Sequence, residues 1–120
     1  MTTEILVCVT CQPPDISRDA PRLGRQFYKN LNDQVFIEDL AFLVRPIECM
    51  GGCSHACTVA FQANNKQRYF FGNLSGDVDC VSQTLSCAKL YGQSIDGVMA
   101  WCDRPPLFQK GLIAKLPSTL

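Results

Sequence analysis

The chain has 120 residues, 47% of them apolar and 18% charged, with eleven basic and eleven acidic side chains. That length suits one folding unit spanning residues 1–120 and excludes two domains with separate cores, while the composition excludes a disordered chain. The charges cancel, no two Lys or Arg are adjacent, and the aromatics are not interleaved with positive charge, so neither nucleic acid nor an anionic membrane is an expected partner.

The opening "MTTEILVCVT" places an acidic residue before a short apolar run and has no small-residue cleavage site, which is not the pattern of a signal peptide. No apolar run approaches the roughly 20 residues needed to span a bilayer. The expectation is a soluble, cytoplasmic protein. Disulfides are disfavoured in that compartment, so eight cysteines point to metal binding or redox chemistry.

Glu4 to Thr10 is a β-rich apolar run ending near Cys8 and reads as a buried strand. "CQPPDISRDAP" follows, and its three prolines make it a loop. Leu23, Phe27 and Leu31 recur every fourth residue behind Pro21, which predicts an amphipathic helix over 21–32. From Gln34 to Ile47 the pattern fits either one long strand or a helical turn followed by a strand, and the favoured strand covers 42–47, with Pro46 marking an edge or a terminus. "CMGGCSHAC" is a loop because paired glycines disfavour regular structure. "TVAFQA" and "RYFFGNL" flank "NNK", the pattern of a β-hairpin.

Val78, Val81, Leu85, Ala88 and Tyr91 then mark a second helix over 77–91, with Ser75 or Asp77 as its N-cap and Gly92 just past its end. Residues 105–120 read as an irregular tail packed on the core. The order predicts an α/β fold, a sheet flanked by two main helices.

Cys8 and Cys11 form a Cys-x-x-Cys pair, and Cys49, Cys53 and Cys57 stand four apart around Gly51 and Gly52. Thioredoxin-type exchange uses a helix that starts at the motif, whereas Pro13 and Pro14 follow Cys11 here. A metal reading needs the two groups brought to one sheet end, and thiolates there suit zinc or an iron-sulfur cluster. The glycines tilt the choice toward a cluster, because backbone N–H groups can then turn toward sulfur. Cys80, Cys87 and Cys102 lack ligand spacing and read as small buried hydrophobes. His55 is the only histidine, and an exposed loop position is expected for it. In "WCDRPP", Trp101 reads as core and Arg104 as solvated. Asp77 with Asp79 reads as a helix start, and Glu38 with Asp39 as an exposed turn. No acid and base pair, nucleophile arrangement or phosphate-binding loop stands out.

The stretch "CMGGCSHACTVAF" followed by "YFFGNL" resembles the second half of the thioredoxin-like [2Fe-2S] ferredoxins, and the strand ending at Cys8 matches as well. With "CVTC" and "DGVMAWCDRP", the whole chain looks like a family of small predicted metal-binding proteins of unassigned function. The resemblance implies a thioredoxin-like fold with a mixed four-stranded sheet and a [2Fe-2S] cofactor acting in one-electron transfer without catalysis. It carries Cys8, Cys49 and Cys53 over as ligands. The remaining ligand of the ferredoxins has no counterpart in "SRDAPRLG". Cys11 is the first choice for that place and Cys57 the competing one. The partners implied are an unidentified redox protein and, by the same resemblance, a second copy in a homodimer. The rival readings are a protein that binds zinc or another soft metal, and a dithiol oxidoreductase using Cys8 and Cys11.

Overall fold

Alternation of apolar side chains decides which face of the sheet is covered. The computed structural model describes residues 3–9, 23–48, 57–72, 74 and 77–117. Within them the chain runs β1 (Glu4–Cys8), α1 (Leu23–Ile37), β2 (Leu43–Ile47), β3 (Val59–Gln62), β4 (Arg68–Phe71), α2 (Val78–Gln93), a 3-10 turn (Trp101–Asp103), α3 (Pro106–Gln109) and β5 (Leu112–Leu116). The strands form one sheet in the order β2-β1-β3-β4-β5. β1 and β2 are parallel, and the other neighbours are antiparallel. Among the described residues no helix is long and apolar enough to cross a membrane.

Ile5 faces Phe61 and Val7 faces Val59 across β1 and β3, while Val59 faces Phe71 and Phe61 faces Tyr69 across β3 and β4. Successive side chains of a strand point to opposite faces, so these residues share one side of the sheet. They form a single buried cluster with Phe27, Leu31 and Val35 of α1 and with Cys80, Val81, Leu85, Ala88 and Tyr91 of α2. Each large side chain buried in this way stabilises the fold by about 1.5–3 kcal/mol.

α1 runs five residues beyond its expected end. Val35 continues the four-residue spacing of Phe27 and Leu31 and is buried with them, so core packing draws Gln34 to Ile37 into the helix. α2 starts where expected, with Asp77 accepting the Cys80 N–H at 2.8 Å. It passes through Gly92 and ends at Gln93, with Ser94 as its C-cap.

The C-terminal stretch departs most from expectation, and it gives the sheet a fifth strand. Phe108 on α3 is fully buried, with its ring centroid 4.9 Å from that of Phe71 and 5.9 Å from that of Phe61. This anchor brings 112–116 alongside β4, where an irregularity in register between Phe70 and Phe71 accommodates the pairing. The preceding Gly111 has φ +75°, and a Cβ there would meet the Gly72 carbonyl oxygen at 2.5 Å. Only glycine allows that approach.

At the far end of α2 the helix has no basic residue in its last turn. Lys66, from the turn between β3 and β4, supplies the positive charge instead. It is 8% exposed, and its Nζ donates to the carbonyls of Tyr91 at 3.2 Å and Gly92 at 3.0 Å. Cations are favoured at this helix terminus. Lys66→Met keeps much of the stem and removes both hydrogen bonds, so urea unfolding should show a loss of about 1–3 kcal/mol. An unchanged midpoint would mean that this contact contributes nothing.

Candidate functional site

Parallel strands joined by a crossover finish at the same sheet end. β1 finishes at Cys8, which is paired with Ile47, the last residue of β2. The Val9 N–H donates to the Ile47 carbonyl at 2.9 Å, and the Cys8 N–H donates to the Thr58 carbonyl at 3.3 Å. Cys57 enters from the other side, exchanging two backbone hydrogen bonds with Leu74 at 3.0 and 3.2 Å. Cys8, Ile47, Cys57 and Leu74 therefore gather at one edge of the fold. From Val9 and Glu48 the chain passes into the segments that carry Cys11, Cys49, Cys53 and His55, and it returns at Cys57.

Those four residues lie outside the described residues. Of the five clustered cysteines, the described structure thus brings together Cys8 and Cys57. Cys8 is 1% exposed and Cys57 is fully buried. The Cys8 thiol points to the Glu48 carbonyl, with Sγ to O at 3.8 Å. Among the described residues no three of His, Cys, Asp or Glu gather as a metal-binding group.

Cys80 and Cys87 are fully buried on α2, as expected of small hydrophobes. The Cys87 thiol contacts the Met99 thioether, sulfur to sulfur 3.7 Å. Burial pushes its pKa from 9.0 to about 12, and the nearby Arg104 charge opposes that shift. Cys102, in contrast, is exposed, and none of these three is in a disulfide.

The "WCDRPP" stretch reverses its expected burial. Trp101 is 60% exposed, and its indole N–H donates to the Gln109 carbonyl at 2.9 Å. Arg104 is only 9% exposed, with its guanidinium carbon 5.9 Å from the centre of the Phe71 ring. Its Nε and Nη1 are buried and have no hydrogen-bond partner. The tight 3-10 turn holds the indole outside, and Arg104 follows with φ −78° and ψ 146°, the extended backbone favoured before proline. That restriction in "RPP" was the signal available in the sequence for a fixed arginine.

A family model described as "Protein of unknown function (DUF1636)" matches residues 5–118. No curated protein matches the chain in sequence. Among solved structures the chain is similar to a thioredoxin-like [2Fe-2S] ferredoxin from Aquifex aeolicus, with a TM-score of 0.62 and 14% identity over 99% of this chain and 97% of that one. A cysteine-to-serine variant of the same ferredoxin gives a TM-score of 0.60 at 12% identity over 93% and 98% of the two chains. Its wild-type structure at 1.5 Å resolution gives 0.52 at 15% identity over 94% and 97%. The shared fold is thioredoxin-like, carried here on five strands among the described residues.

Two outcomes follow from thiol burial. Brief alkylation of the native protein, mapped by peptide mass spectrometry, should modify Cys102 and spare Cys80 and Cys87; equal modification of all three would contradict the packing. Because the folded protein favours the protonated Cys87 thiol, its contribution to stability is full below about pH 9 and is lost as pH rises toward about 12. Tyr91, also raised to about 12 by burial, adds a decline from about pH 10. Cys87→Ala should flatten the first part of this alkaline limb in denaturation curves and leave the Tyr91 part.

Proposed function

The chain belongs to the DUF1636 family, and from that premise we propose that it is a small [2Fe-2S] protein of ferredoxin type that carries single electrons. The observation that carries this reading is the convergence of Cys8 and Cys57 where β1 ends and β3 begins, on a fold shared with a thioredoxin-like [2Fe-2S] ferredoxin. The donor chemistry fits, since thiolates are the usual ligands of such a cluster. The buried Arg104 guanidinium, with Nε and Nη1 lacking hydrogen-bond partners, adds a positive charge suited to an anionic centre.

In this reading Cys8, Cys11, Cys49 and Cys53 hold the cluster, and Cys57 stands behind them or replaces Cys11. When bound, the cluster supplies a one-electron couple. The protein's own contribution is to hold the thiolates, exclude water and set the local charge. Cys8 is fixed by its backbone bond to Thr58 and its pairing with Ile47, so its sulfur sits on a rigid strand end. The redox partner meets the protein at this end of the sheet, and a second copy completes a homodimer.

A dithiol oxidoreductase needs an attacking thiol that is at least partly exposed; Cys8 is buried, so that role would fall to Cys11, and insulin reduction that is lost in Cys11→Ser would favour this rival. Burial of a thiol does not disfavour zinc, so metal analysis separates zinc from iron. Protein purified without oxygen should be red-brown, contain iron and acid-labile sulfide in equal amounts, and bleach on addition of dithionite. Colourless protein with bound zinc and no sulfide would overturn the proposal. Cys8→Ser, Cys49→Ser and Cys53→Ser should each lose most of the iron. Comparing Cys11→Ser with Cys57→Ser identifies the fourth ligand, because only the ligand variant loses the cluster while the other retains it.

A further inference from the structure

Arg104 is a charged side chain more than nine-tenths buried, and its Nε and Nη1 have no hydrogen-bond partner. Among the described residues no ion pair includes it. A guanidinium keeps its charge in proteins, and leaving a buried charge uncompensated is costly. The face of the Phe71 ring, 5.9 Å away, offsets part of that cost. The Cys87 thiol nearby offers no negative charge, because burial keeps it protonated.

The position of Phe71 shows where a compensating anion would lie. Phe71 ends β4 and is paired with Val59 on β3, and Cys57 stands two residues before Val59. Strand geometry puts that step at roughly 7 Å. Phe71, Cys57 and Cys8 belong to one buried cluster, and Leu74, three residues after Phe71, is hydrogen-bonded to Cys57. The arginine therefore lies on the side of the core that leads to the gathered cysteines.

We infer that Arg104 is a buried electrostatic tuning residue that stabilises the reduced form of the thiolate-held centre at the Cys8 and Cys57 end of the sheet. The inference rests on the iron-sulfur reading above. Reduction adds one electron, and so one negative charge, to the centre; Arg104 stays protonated throughout and no proton moves. A fixed positive charge favours the more negative state. With the Phe71 contact and the strand step beyond it putting the centre roughly 10–15 Å away, a unit charge at an effective dielectric of about 20 changes an equilibrium constant by on the order of tenfold.

The test is a reductive titration of the cluster-loaded protein with dithionite and redox dyes, followed by visible absorption and by electron paramagnetic resonance of the reduced form. Arg104→Gln and Arg104→Met should be about tenfold harder to reduce, a midpoint lowered by about 59 mV for one electron. Arg104→Lys keeps the charge and should stay near the wild type. Should one neutral variant fail to fold, the other is compared with Arg104→Lys at equal iron content. Midpoints unchanged in a folded, fully loaded neutral variant would overturn the role of Arg104 and leave the cluster reading intact. A wild-type protein with no iron or sulfide would overturn both, and the two failures are thus distinct.

Discussion

The parallel pairing of β1 with β2 is the constraint on which the rest of the molecule depends. Two strands that run side by side in the same direction need a crossover, and α1 provides it, held to the sheet by Phe27, Leu31 and Val35. Both strands then end together, at Cys8 and Ile47. The antiparallel partner β3 starts near the same point, so Cys57 arrives there as well. A slip of one residue in the pairing of β1 would turn Ile5 and Val7 out of the core and move Cys8 to the opposite face. Core packing and site geometry are therefore set by one register.

Two cationic side chains, Lys66 and Arg104, are buried among the described residues. Lys66 is buried against the α2 carbonyls and satisfied by them. Beside Phe71, Arg104 is buried with part of its guanidinium unsatisfied. The first serves the fold, since its hydrogen bonds complete a helix terminus. The second keeps its contact with the Phe71 ring but leaves Nε and Nη1 unpartnered, as are Gln67 Oε1 and Arg68 Nε. Phe71 links the two themes, because it packs with Phe61 and Phe108 in the core and also lies under Arg104.

The C-terminal segment shows how weak local signals become structure through distant contacts. "LFQKGLIAKL" has neither a clean twofold nor a helical period. One buried ring, Phe108, and one glycine suited to φ +75° are enough to lay β5 against β4. The extension of α1 has the same origin, since Val35 contributes only when the core is there to receive it.

By itself the sequence determined the order of elements as far as α2, the β3 and β4 hairpin, a helix cap at Ser75 or Asp77 and the two cysteine groups, because each is written in local spacing, turn residues or capping chemistry. It also carried the resemblance to the thioredoxin-like ferredoxins through motifs spread along the chain. Only the tertiary structure decided that Cys57 lies beside Cys8, that the sheet has a fifth strand, and that Trp101 faces solvent while Arg104 is buried. The physical reason is common to all three. Burial and proximity depend on contacts between residues far apart in the chain, and hydropathy, which places Trp inside and Arg outside, holds no information about which neighbours the fold will supply.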